Sequence, residues 1–135
     1  MSLYSEDNLN TSIHGGTTGT PTTYTFSYVA FNALSEVKEG GHTLIENTYD
    51  VNYRTFNLTS EKYGNNQRVN YTYDSTGRML SKAWEGNSND RVEYVYDNEE
   101  GLAAVRDVRN NITTKYIYDL SDRLVQTRQT GSVNR

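Results

Sequence analysis

Cysteine is absent from the 135 residues, so a disulfide framework and a Cys-ligated zinc site are excluded and the redox compartment stays open. Proline occurs once, at Pro21, and tryptophan once, at Trp84. No apolar run nears the ~18–20 residues of a membrane-spanning helix, and no signal-peptide pattern opens the chain. A basic surplus is missing too: 13 Lys and Arg face 17 Asp and Glu, for a net charge of −4. Without a cationic face to hold phosphates, nucleic acid is not expected as a partner. Leu, Ile, Val and Phe together make just under a fifth of the chain, close to the ~20 % below which strongly charged chains stay disordered. Here the net charge is low, and 12 tyrosines add apolar surface which that tally omits. A folded protein with a thin, polar core is expected.

What the sequence does have is a repeat. Tyr71-Thr72-Tyr73-Asp74-Ser75-Thr76-Gly77-Arg78-Met79-Leu80 returns as Tyr94-Val95-Tyr96-Asp97 and as Tyr116-Ile117-Tyr118-Asp119-Leu120-Ser121-Asp122-Arg123-Leu124. A weaker copy runs from Asn47 through Tyr49 and Asp50 to Arg54, and an eroded one from Phe26 through Tyr28 to Leu34. The second tyrosine of each copy falls at 28, 49, 73, 96 and 118, a spacing of 21 to 24 residues. Such a near-fixed period marks a repeat architecture.

Inside each copy the apolar period is two. Val92, Tyr94 and Tyr96 share one face, with Arg91, Glu93, Val95 and Asp97 on the other; Thr114, Tyr116 and Tyr118 oppose Lys115, Ile117 and Asp119. Alternating β-branched and aromatic residues mark half-buried strands, and no helix has start or stop signals. Turns of two kinds separate the strands. One kind carries Gly or Asn able to adopt positive φ: Gly15-Gly16, Gly40-Gly41, Gly64-Asn65-Asn66, Gly86-Asn87 and Asn110-Asn111. The other is Asp-x-x-Gly-Arg, where Asp accepts a backbone N–H two residues on. The expected fold is therefore all-β: an antiparallel meander of successive β-hairpins forming a curved ribbon, one hairpin per repeat. Strands are predicted at 8–13, 22–29, 33–38, 42–50, 54–63, 67–74, 78–84, 90–97, 101–107, 112–119 and 123–129. Each repeat tyrosine is expected to pack on the neighbouring strand, on Leu80, Leu102 or Leu124.

Residues 1–23 read as an N-terminal strand and turn, with Met1-Ser2-Leu3 compatible with an expression scar. Residues 24–130 form an array of about five hairpin units, and 131–135 a tail. Ending a few residues past a repeat, the sequence reads as a segment of something longer. Its two edge strands and wet sheet faces lead to the expectation that it self-associates.

Tyr-x-Tyr-Asp-x-x-Gly-Arg-Leu at this period resembles the YD repeat of bacterial Rhs (rearrangement hotspot) and wall-associated proteins, of insecticidal toxin-complex shells and of animal teneurins. The resemblance spans about residues 24–130. The copy from Tyr94 to Leu102 departs from it, reading Asn98-Glu99-Glu100-Gly101 as one residue longer and lacking the arginine, and the early copies carry Val29 for Asp and Tyr53 for Gly. The resemblance implies a long β-ribbon spiralling into a shell around a C-terminal toxin or effector, in large secreted or surface proteins of bacteria. The family's self-cleaving aspartates and any toxin domain have no match here. On that basis the chain is expected to be a non-enzymatic shell segment, secreted or at the cell surface, whose partners are the rest of a parent chain and its effector. The alternative is a carbohydrate-binding wall or adhesion module, with a glycan as partner. About ten strands at ~4.8 Å span ~50 Å, half the ~105 Å girth of a 100-residue cargo, so one such segment would not enclose it alone.

The residues assigned a role in the repeat are Tyr28, Tyr49, Asp50, Tyr71, Tyr73, Asp74, Gly77, Arg78, Tyr94, Tyr96, Asp97, Tyr116, Tyr118, Asp119 and Arg123, and that role is scaffolding. No catalytic, cofactor or metal residue is assigned. His14 and His42 sit beside glycines in turns and lack the partners of a base or ligand. Asp74, Asp97 and Asp119 recur once per repeat without the dense acidic spacing of a calcium loop, so they read as turn caps. Glu99-Glu100 with Glu93 reads as a solvated bend rather than an acid–base pair. Trp84 reads as packing on the ribbon rather than stacking on a sugar. Asn-x-Ser/Thr at Asn10, Asn57, Asn70 and Asn111 arises by chance in an Asn/Thr-rich strand protein.

Overall fold

The computed structural model describes residues 7–13, 22–51, 56–98 and 101–131, without side chains for 7–13 and 51. Eleven strands follow one another: β1 (Asp7–Ile13), β2 (Thr22–Val29), β3 (Ala33–Glu39), β4 (His42–Val51), β5 (Phe56–Tyr63), β6 (Arg68–Tyr73), β7 (Met79–Trp84), β8 (Arg91–Tyr96), β9 (Leu102–Asp107), β10 (Ile112–Tyr118) and β11 (Leu124–Thr130). Sheet order is chain order, with β1 and β11 at its two ends. The antiparallel meander is as the alternation predicts, with strand ends moved by one or two residues. One element was not foreseen. Ala30–Asn32 form a 3-10 turn in which Phe31 (φ 61°) and Asn32 (φ 56°) are left-handed.

Met1–Arg68 and Val69–Arg135 form two compact units. Each has a thin core. Val37 is buried in the first and Val69 in the second, at 9 % and 3 % exposure. Most other strand residues are half-buried, because a meander covers each strand mainly by its two neighbours.

The turn prediction is partly corrected. Positive φ falls on Gly40, Gly41, Asn66, Gly86 and Asn111, one or two residues per turn. Gly64 does not need it; a Cβ there would come 2.9 Å from the Thr43 carbonyl oxygen. Gly15 and Gly16 lie outside the described residues, as do His14, Pro21, Tyr53, Arg54, Glu99 and Glu100.

A regular irregularity runs through the hairpins. At Tyr28, Tyr49, Tyr73, Tyr96 and Tyr118 the ladder slips by one residue, so each second tyrosine pairs with Leu34, Leu58, Met79, Leu102 and Leu124 respectively. The unpaired extra residue lies on the return strand: Ser35, Thr59, Leu80, Ala103 or Val125. A bulge of this kind bends the strand and shifts the face on which later side chains stand. That is why Leu80, expected against Tyr73, is the bulged residue and 39 % exposed, while Met79 takes the place opposite the ring. For Leu102 and Leu124 the expected pairing is present.

Candidate functional site: the repeat junction

The recurring constellation is built from a turn, a bulge and a tyrosine. In the β6–β7 turn, Asp74 Oδ1 accepts N–H bonds from Thr76 (3.0 Å) and Arg78 (2.9 Å) and the Thr76 hydroxyl (2.8 Å), while Arg78 Nε donates to Oδ2 at 2.7 Å. Asp74 N–H donates back to the Arg78 carbonyl, and Gly77, at φ 89°, closes the loop. Burial pushes the Asp74 carboxyl upward, but the bonds from Arg78 and Thr76 outweigh it and hold it well below the usual carboxylate range. Asp119 repeats the arrangement with Ser121 N–H (2.8 Å), Arg123 N–H (3.1 Å) and Arg123 Nε (3.0 Å). Its carboxyl is lowered chiefly by the Arg123 and Ser121 backbone N–H groups. Asp122 stands in the glycine place with φ 58°, a conformation Asp tolerates better than most residues.

The third copy corrects the sequence reading. Asp97 N–H donates to the Gly101 carbonyl (2.9 Å) and Asp97 Oδ1 accepts the Gly101 N–H (2.8 Å). These are the same backbone bonds that link Asp74 to Arg78, four residues apart. The loop is therefore not one residue longer; Gly101 stands in the arginine place.

Three repeats are also fastened to the one before. The Tyr49 hydroxyl donates to the Leu34 carbonyl (2.7 Å), Tyr96 to that of Met79 (2.7 Å) and Tyr118 to that of Leu102 (2.9 Å). In all three the acceptor is the residue that pairs with the preceding repeat's second tyrosine. Arg78 adds a second fastening, its guanidinium carbon 4.7 Å from the Tyr96 ring centroid. This hydroxyl-to-carbonyl link was not read from the sequence. Its only signal is that tyrosine, never phenylalanine, fills the second aromatic place in all five copies.

The first unit closes its turns differently. Val29 stands in the Asp place and pairs with Ala33, and Asp50 pairs with Asn57 in the ladder. Phe56 stacks on Tyr49 (4.9 Å between centroids, 10° between planes) and meets the edge of Phe31 (5.5 Å, 70°). Burial raises the Tyr49 hydroxyl pKa, an effect the Asn47 side chain opposes and Glu61 reinforces.

The first tyrosines do a separate job. Tyr71 faces Lys82 across the ladder, Tyr94 faces Val105 and Tyr116 faces Thr127. The Lys82 ammonium lies 5.1 Å from the Trp84 ring centroid and 6.0 Å from that of Tyr71. His42 is exposed at the start of β4, on an open hollow of about 360 Å³ that Thr43, Glu46 and Lys62 also line. Glu93 is held by Arg91 (2.8 Å) and Arg106 (3.5 Å), chiefly the former, which lowers its carboxyl pKa. No group of three or more His, Cys, Asp or Glu able to hold a metal ion occurs among the described residues. No described helix is long and apolar enough to cross a membrane. No protein-family model matches the chain, and neither does any curated protein.

Proposed function

We propose that the chain is a non-enzymatic wall segment of a large secreted or surface bacterial protein of the YD-repeat kind, contributing strands to a β-shell that encloses or presents a toxin or effector. The observation that supports it is the tyrosine fastening, found at Tyr49, Tyr96 and Tyr118 with the same geometry. Side chains that vary least between the copies are spent on joining one hairpin to the next. The turn carboxylates Asp74 and Asp119 are likewise engaged by their own loops. A sheet made this way extends by repetition, which suits a wall.

Limited proteolysis of the whole gene product tests this. The polypeptide encoded beyond residue 135 should resist digestion in the intact protein. It should be cut at least several-fold faster once Tyr96→Ala and Tyr118→Ala open the wall. Equal digestion of both, or turnover of a substrate by the purified chain, would reject the proposal.

A further inference from the structure

Two repeat junctions of the second unit share one plan, and only the earlier is filled by the chain's own arginine. There Asp74 Oδ2 accepts from Arg78 Nε at 2.7 Å, and the Arg78 guanidinium carbon lies 4.7 Å from the Tyr96 ring centroid. At the later junction Asp97 and Tyr118 stand in the places of Asp74 and Tyr96. Asp97 is bonded to Gly101 as Asp74 is to Arg78, and the Tyr118 hydroxyl donates to Leu102 as that of Tyr96 donates to Met79. Carboxylate, ring and backbone are kept, but Gly101 brings no side chain. An open hollow of about 600 Å³ lies there, lined among others by Asp97, Gly101, Ala103, Tyr118, Asp119 and Asp122. That volume is within the ~300–1,000 Å³ of small-ligand sites. No Lys or Arg is among the described residues that line it. The Asp97 carboxylate leans over Gly101, where an added Cβ would meet Oδ2 at 2.9 Å.

We propose that this hollow binds the guanidinium of an arginine supplied by another molecule, in the position that Arg78 holds at the earlier junction. Its N–H groups donate to Asp97 Oδ2, and its plane lies against the Tyr118 ring. The filled junction gives the chemistry of the ligand. A planar, delocalised cation forks onto a carboxylate and stacks on an aromatic face, and an ammonium does neither as well. Asp119 and Asp122 add negative charge to the rim, but Asp119 is already paired with Arg123, so Asp97 is the anchoring carboxylate. The walls come from the β8–β9 turn and from β10, strands with neighbours on both sides, so the site needs no sheet edge. A polypeptide and free arginine both carry this group, and the test separates them.

Methylguanidinium, titrated into the isotope-labelled chain at constant ionic strength, should shift the backbone amide resonances of Asp97, Gly101, Ala103 and Tyr118 along a saturable curve. Those of Asp74 to Arg78, where the place is filled, should stay still. Butylammonium should bind at least about threefold more weakly. Asp97→Asn should weaken guanidinium binding about tenfold, the low end for a charge-assisted hydrogen bond. Asparagine keeps an oxygen for the Gly101 N–H, so that variant retains the turn cap. Tyr118→Phe keeps the ring and should leave the affinity within about twofold. Gly101→Arg places the cation on the chain itself and should abolish uptake of the probe. Tighter binding of an end-blocked Gly-Arg-Gly peptide than of free arginine assigns the guanidinium to a polypeptide, and the reverse order assigns it to a small molecule. Shifts that do not saturate, butylammonium binding as tightly, Asp97→Asn binding like the unaltered chain, or Gly101→Arg still taking up the probe would each overturn the proposal.

Discussion

The two units build the same bulged hairpin and hold it with different chemistry. From Val69 onward two of the three repeat turns are ionic, Asp74 with Arg78 and Asp119 with Arg123, and Arg78 also covers Tyr96. Up to Arg68, aromatic rings take over, with Phe56 stacked on Tyr49 and Phe31 against Phe56. What the units share is the slip in register at the second tyrosine and the hydroxyl bond to the previous repeat's carbonyl. The Asp and Arg that make the repeat easy to see are thus replaceable, and the link between hairpins is the common part.

The sharpest break in this comparison is Phe56→Ala. Removing a half-buried ring that two others contact should cost about 2–3 kcal/mol, somewhat below the 3–5 of a fully buried aromatic. Arg78→Ala should cost only about 1 kcal/mol, as a partly exposed ion pair and cation–π contact. Chemical denaturation of the two variants compares them.

Acid should separate the units next. Asp74, Glu93, Asp107 and Asp119 in the second unit have lowered carboxyl pKa values, whereas Glu36, held by Lys38 and Thr43, is the one such group described in the first. A carboxyl depressed by folding contributes stability above its unfolded pKa, ~4, and loses it as pH falls through the folded value. Amide protection relative to intrinsic exchange at the same pH should therefore fall more in 71–80 and 116–125 than in 24–37 as pH drops below about 4. Asp74→Asn should flatten the acid dependence of the first of these segments.

Smaller and sharper is the tyrosine series. Tyr96→Phe and Tyr118→Phe should each cost about 1 kcal/mol, one hydrogen bond with its carbonyl left behind. Tyr49→Phe should cost about half as much, because Asn47 Nδ2 also donates to the Leu34 carbonyl at 3.0 Å. Equal losses in thermal unfolding would refute that distinction.

Smallest is Gly101→Arg, which brings the arginine back to its place in the third copy. It should raise stability by about 0.5 kcal/mol through a pair with Asp97 and a guanidinium on Tyr118. A Cβ there meets Asp97 Oδ2 at 2.9 Å, so the carboxylate must shift to admit it. A fall in melting temperature would show that the Asp97 loop needs its glycine.

Strand positions were legible because alternation and turn residues are local signals: Arg91 to Tyr96 and Ile112 to Tyr118 show both. The bulges were not. One extra residue on a return strand, such as Leu80 or Ala103, leaves the count of apolar residues unchanged and only moves the face on which they stand. The hydroxyl targets were hidden for a related reason, since Leu34 and Met79 accept through their backbone and any residue type could do so. Val29 and Phe31 looked like erosion of the repeat, because only the fold brings Phe31 against Phe56. Gly101 misled the alignment by resembling the turn glycine while occupying the place of the arginine.

The hydroxyl bond also has a direction: each one reaches from a later hairpin to an earlier one. During synthesis a hairpin leaving the ribosome can pair its own strands at once, but it stays unlatched until the following tyrosine has been made. Growth of the sheet is thus vectorial, and the newest hairpin is always the loosest.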